Sequence, residues 1–289
     1  MSNLDSQIDS ACAILRDAEK RVNQWRASTS AFKITEPIRR SWEARLGLYA
    51  RLEVTKKLLP VRMQAMNELL ALKKACDGAV GADLNAAVPF NGMSLPIFHG
   101  RLLGVQSYLA TTWSIYDRLT CVIGRLIGTK TVVSNTAPHL QAKLVEDILG
   151  AKGKTSYDVC ALHQILDEVY SWDIHCSYLV RNAFMHDGGL LDERPLLDDT
   201  NASTAFLLSV AGQDALEKAI KNRMKWTDDN GQAVQHPAIR PIKPGDAFLD
   251  LLAMWNGNID EALGALLVWS VTSFVSQIVE FAAVDGFAL

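Results

Sequence analysis

The sequence predicts a mainly α-helical protein with a small β-containing insertion. Three observations carry this. Apolar residues recur at three- and four-residue spacing over most of the chain. Glycines and prolines cluster between those periodic runs rather than inside them. Only one region, between Leu190 and Gly245, changes character toward short apolar runs and hairpin signals. Hydrophobic residues make up 49% of the 289 positions and charged residues 21%, the balance of a chain that can bury a sizeable core.

The first helix is predicted over Leu4 to Arg26, where Ile8, Cys12, Leu15 and Ala18 share one face. A second helical region runs from Glu36 to Cys76. Pro60 is expected to kink or divide it, because proline removes one backbone hydrogen bond and crowds the preceding turn. The following stretch, CDGAVGADLNAAVPFNGMSLP, ends at Pro96 and has the composition of a loop. Residues 1–96 thus read as an N-terminal helical hairpin and loop, and 97–289 as a helical bundle carrying the insertion at about 190–245.

Within the bundle, Phe98 to Ile127 is a strong helix bearing Leu102, Val105, Leu109, Trp113, Tyr116 and Leu119. The next is bracketed by Pro138 and Gly150. Thr155 and Asp158 then form a capping box for a helix whose apolar stripe runs Val159, Leu162, Leu166, Val169, Cys176 and Val180. Gly188 and Gly189 mark its end. The insertion contains AFLLSV, a charged stretch, and a hairpin signal at Asn230-Gly231. Helices resume at Asp246, an N-cap candidate, and again after Asn258.

Leu263 to Val279 carries no charge and approaches the length of a membrane span. Ser270, Ser273, Gln277 and Glu280 nevertheless form a polar stripe beside Leu267, Val271, Phe274 and Ile278, which favours a bundle helix. No membrane partner is expected. MSNLDSQIDS offers no basic segment leading into an apolar run, so no signal peptide is expected either. Five scattered cysteines without a CxxC fit free thiols in a reducing, cytoplasmic setting. A net charge of −3 argues against bulk electrostatic binding of nucleic acid, though not against a local basic groove.

Several chemical motifs fail on their own terms. GAKGKTS has Gly153-Lys154-Thr155, but the first glycine of a phosphate-binding loop would fall at Ile148. Cys160, His163, His175 and Cys176 offer zinc-type ligands. On one helix, however, the two pairs stand roughly 18 Å apart, too far for a single ion with bonds near 2 Å. No cofactor and no metal are expected.

The stretch YLVRNAFMHDGG is different. On a helix Asn182 and His186 share a side, and Arg181 can reach the same rim. Together they supply neutral donors, a permanent planar cation and a group that titrates near neutrality. That combination suits a phosphodiester, since arginine stabilises charge developing on phosphorus while histidine moves protons. The plainer alternative is an Arg181–His186 pair that only ties helices together.

RNAFMH resembles the R-N-x-x-x-H signature of HEPN domains, helical bundles of prokaryotic toxins, phage-defence effectors and RNA-targeting CRISPR effectors. The resemblance covers about Phe98 to Gly189, with the helix after Asn258 completing the bundle. It implies a metal-independent endoribonuclease of toxin–antitoxin or antiviral defence, built as a homodimer because only one such motif occurs here. His186 would move protons, Arg181 would hold the scissile phosphate, and Asn182 would orient one of them. Asp117 is the candidate acidic partner of Arg181; a surface carboxylate beside Arg118 is the plainer reading. Implied partners are RNA, a second copy, and an antitoxin or regulatory protein. Members paired with nucleotidyltransferase antitoxins carry a tyrosine where this chain has Gly188, so silencing through that residue is not expected. A non-catalytic module that binds nucleotide or RNA, or only dimerises, is the rival reading.

Overall fold

The computed structural model describes residues 3–28, 34–77, 87–90, 92–127, 171–186, 191, 206–207, 209–223 and 247–284. Helices dominate them, as the periodicity predicts. In chain order the helices are α1 (Asn3–Ser28), α2 (Glu36–Leu46), α3 (Tyr49–Lys56), α4 (Leu58–Asp77), α5 (Ile97–Leu126), α6 (Ser171–His186), α7 (Val210–Arg223) and α8 (Phe248–Val284). One antiparallel hairpin, β1 (Ala87–Phe90) and β2 (Met93–Pro96), precedes α5.

The chain forms two compact units. Unit 1 takes Met1–Leu59, Ser114–Asp167 and Asp260–Leu289, and unit 2 takes Pro60–Trp113 and Glu168–Ile259. Helices α5 and α8 therefore each contribute one part to either unit.

In unit 1, α1 packs against α2 and α3. Leu4, Ile8, Ala11, Leu15, Ala18, Val22 and Trp25 form its buried stripe. Charged residues tie the same helices at their rims. Lys56 Nζ donates to Asp9 at 2.6 Å, Arg16 pairs with Glu53, and Arg39 bridges Glu36 and Glu43. The C-terminal part of α8 buries Leu263, Leu267, Val271, Phe274 and Ile278. Trp42 meets the Phe281 ring edge-on at 5.4 Å, and the Arg45 guanidinium lies 5.4 Å from the centre of Phe274. By length and composition α8 could cross a membrane, yet half of its most apolar window is buried within the fold.

Unit 2 has its own core. Leu69, Leu72 and Cys76 of α4, Val105 and Leu109 of α5, Val180 and Phe184 of α6, Leu216 of α7, and Leu252 and Trp255 of α8 all join one cluster.

Four local expectations differ from the structure. The region from Glu36 to Cys76 is three helices, and the breaks fall at Gly47-Leu48 and Lys57 rather than at Pro60. Pro60 sits in the first turn of α4, where its missing N–H has no intrahelical acceptor to lose. The stretch read as a loop contains the β1–β2 hairpin. Its sequence turn is Asn91-Gly92, and Gly92 takes φ 76°, the left-handed conformation a tight hairpin needs. The charged stretch after AFLLSV is the helix α7. Ser209 opens it, its Oγ accepting the Gly212 N–H at 2.8 Å. Finally, α8 runs unbroken through Gly257-Asn258. One helical glycine costs about 1 kcal/mol, and the buried Trp255, Asn256 and Ile259 around it outweigh that. The predicted hairpin at Asn230-Gly231, the helix from Pro138 to Gly150, the capping box at Thr155 and Asp158, and Asp246 lie outside the described residues. The strand pairing described after α6 includes the isolated bridge between Leu207 and Ala247.

Candidate functional site

The R-N-x-x-x-H stretch occupies the last two turns of α6. Ile174, Ser177, Val180 and Phe184 recur at three- and four-residue intervals and are buried, so this stripe fixes the helix against the core of unit 2. At about 100° per residue, Arg181 falls on the flank of that stripe and Asn182 beyond it. Both are half-buried.

The structure joins these two neighbours directly. Arg181 Nη1 donates to Asn182 Oδ1 at 3.2 Å. The guanidinium has four further N–H donors, and the asparagine keeps its amide N–H groups for a ligand or a neighbour. His186 closes the helix, one turn beyond Asn182. Its backbone lies at the negative end of the helix dipole. Its side chain lies outside the described residues.

Support for this turn comes from α5. Gln106 Nε2 donates to the Phe184 carbonyl at 2.9 Å. Phe184 O is one of the last four carbonyls of α6, which no N–H within the helix can reach. A side chain 78 residues away in sequence thus ties down the turn that carries Arg181, Asn182 and His186. The sequence reading missed Gln106. Its only signal is an amide lodged between Val105 and Tyr108, both buried.

A buried polar chain holds the middle of the same helix. Ser177 Oγ donates to Asn256 Oδ1 at 3.2 Å, and Asn256 Nδ2 donates to Tyr108 Oη at 2.8 Å. One turn earlier, Asn258 Nδ2 donates to an Asp173 carboxylate oxygen at 2.7 Å. Trp113 meets the Tyr178 ring edge-on at 5.3 Å. Burial pushes the Cys176 thiol well above its ordinary range, and the Asp173 carboxylate adds to the shift. Cys176 is therefore a packed thiol rather than a nucleophile.

Asp117 belongs to unit 1, where it lines a cavity with Arg51, Ser114, Arg118 and Cys121. Of the residues weighed as zinc ligands, Cys160 and His163 lie outside the described residues, as does the side chain of His175. The described residues contain no group of three or more His, Cys, Asp or Glu side chains placed to hold a metal ion. Trp113 and Trp255 are buried in the core, and His99 is exposed. Comparison with known proteins adds no family: no family model, no curated protein and no solved structure matches the chain.

Proposed function

We propose that this protein is a metal-independent endoribonuclease of the HEPN type, acting as a homodimer in cellular defence or as a toxin. One observation carries the reading: the Arg181–Asn182 hydrogen bond one turn before His186, on a helix end braced by Gln106. A guanidinium held by its neighbour is pre-oriented, so less side-chain entropy is lost when it grips a phosphate.

The chemistry follows from the residue types. The ribose 2′-oxygen attacks the adjacent phosphorus as its proton passes to a base. A new 2′-O–P bond forms, the P–O5′ bond breaks, and the 5′-oxygen takes up a proton. His186 serves in these proton transfers, Arg181 stabilises the equatorial oxygens as charge builds, and Asn182 fixes the guanidinium. The products are a cyclic phosphate and a 5′-hydroxyl end, and DNA, lacking the 2′-hydroxyl, is not a substrate. A second copy supplies the other half of the site.

The test is cleavage of mixed RNA in the presence of a chelator, comparing the wild type with His186→Ala and Arg181→Ala. The wild type is expected to cut, and each variant to lose at least 100-fold in rate. An intact wild-type digest would overturn the proposal. If both variants instead melt well below the wild type and no digestion occurs, the pair ties helices together and nothing more.

A further inference from the structure

We infer that unit 1 carries a binding site for a small hydroxylated phosphomonoester, of the sugar-phosphate class, in the cavity between α3 and α5. This inference is independent of the ribonuclease reading, which rests on unit 2.

The cavity measures about 410 Å³ and is lined by Arg51, Ser114, Asp117, Arg118 and Cys121. That volume falls in the ~300–1,000 Å³ range of small-molecule sites. Four of the five residues stand at positions i, i+3, i+4 and i+7 of α5, so they form one continuous stripe facing α3. Ser114 and Arg118 are exposed and Asp117 and Cys121 half-buried, so the stripe belongs to the solvent-side face of α5 and is open to a ligand. It presents a hydroxyl, a carboxylate, a guanidinium and a thiol.

The cations decide the ligand class. Most arginines of α1 and α2 are engaged: Arg16 with Glu53, Arg21 with Asp17, Arg26 with Glu43, Arg39 with Glu36 and Glu43, and Arg40 with Glu36. Arg45 lies over Phe274. Arg51 and Arg118 make no such pair among the described residues, and both face the same cavity. Two unspent guanidiniums from different helices match the three terminal oxygens of a phosphomonoester, each able to donate in a fork.

Asp117 sets the rest of the specificity. An inorganic dianion would meet its carboxylate as a like charge. A ligand that carries hydroxyl groups beside its phosphate turns that carboxylate into an acceptor, and the Ser114 hydroxyl into a further partner. The phosphate lies toward Arg51 and Arg118, and the hydroxyls toward Asp117 and Ser114.

Cys121 makes the site observable. Cys12, Cys76 and Cys176 are buried, whereas Cys121 is partly exposed on the cavity wall. Burial also raises the Cys12 and Cys176 thiols, which slows their reaction further. In the full-length Cys160→Ser protein, a maleimide therefore reports on Cys121. Glucose 6-phosphate at ~10 mM, ten times a 1 mM dissociation constant, is expected to slow modification of Cys121 at least threefold. Glucose alone should leave the rate unchanged. Arg51→Gln and Arg118→Gln should each abolish the protection while keeping the wild-type far-ultraviolet circular dichroism. No protection of the parent protein, or protection that survives both arginine substitutions, would overturn the site. Equal protection by inorganic phosphate would overturn the roles of Asp117 and Ser114 as hydroxyl partners. Loss of RNA cleavage leaves this readout untouched, so the two proposals fail separately.

Discussion

Replacing Gln106 by methionine keeps nearly the same length and volume but removes the donor to Phe184 O. The hydrogen bond measures 2.9 Å and joins α5 to the last turn of α6. One intramolecular hydrogen bond contributes about 1 kcal/mol net, and leaving its acceptor unsatisfied in a buried setting costs about 1–3 kcal/mol. The Phe184 side chain is 1% exposed, so water has poor access to that end of the turn. The expected loss is therefore about 1–3 kcal/mol, read as a lower urea midpoint with an unchanged slope. Gln64→Ala is the control, because Gln64 Nε2 donates to Glu68 on an exposed surface and its loss should stay within ~0.5 kcal/mol. Cleavage supplies the second readout. Under the proposed ribonuclease function, a shift of His186 by ~1 Å would cost on the order of 100-fold in rate, so Gln106→Met should then lose activity under conditions where it remains folded. Stability and cleavage both equal to wild type would refute the idea that α5 braces this turn.

Other outcomes follow from the same structure. Asn256→Leu breaks two buried hydrogen bonds, to Ser177 and Tyr108, and is expected to destabilise by about 2–4 kcal/mol in urea unfolding. A double-mutant cycle with Ser177→Ala should return a coupling of about 0.5–3 kcal/mol. Gly264 lies where a Cβ would collide with the Gln7 amide, so Gly264→Leu should destabilise the fold. The amide is the movable end of a half-buried side chain, so Gly264→Ala should shift stability by no more than ~1 kcal/mol in urea unfolding. Because burial raises the Cys176 thiol, the folded chain keeps that proton where the unfolded chain releases it. Its contribution is complete below the unfolded pKa of about 8.5 and is lost as pH rises toward the folded value. Unfolding free energy should fall in alkaline solution, and Cys176→Ala should flatten that decline.

How far sequence sufficed depended on the distance over which each decision is made. The spans of α1 and α5 were legible within a residue or two, because a continuous apolar stripe specifies a helix locally. The β1–β2 hairpin was not, since its four-residue strands sit among glycines and prolines that read as loop. Continuity of α8 through Gly257 was hidden for another reason: tertiary packing of Trp255, Asn256 and Ile259 overrides a local propensity. Arg181, Asn182 and His186 stood out by spacing alone. Gln106, by contrast, matters through a carbonyl on another helix, and nothing near it in the chain reveals that. Arg51 and Arg118 look like ordinary surface charges until a shared cavity brings them together.

The interleaving of the two units has a genetic corollary. Unit 1 is assembled from three separated stretches and unit 2 from two. No contiguous segment of the gene encodes either one, and a crossover within α5 or α8 would sever a continuous helix. Neither unit can be moved into another reading frame as a single uninterrupted cassette.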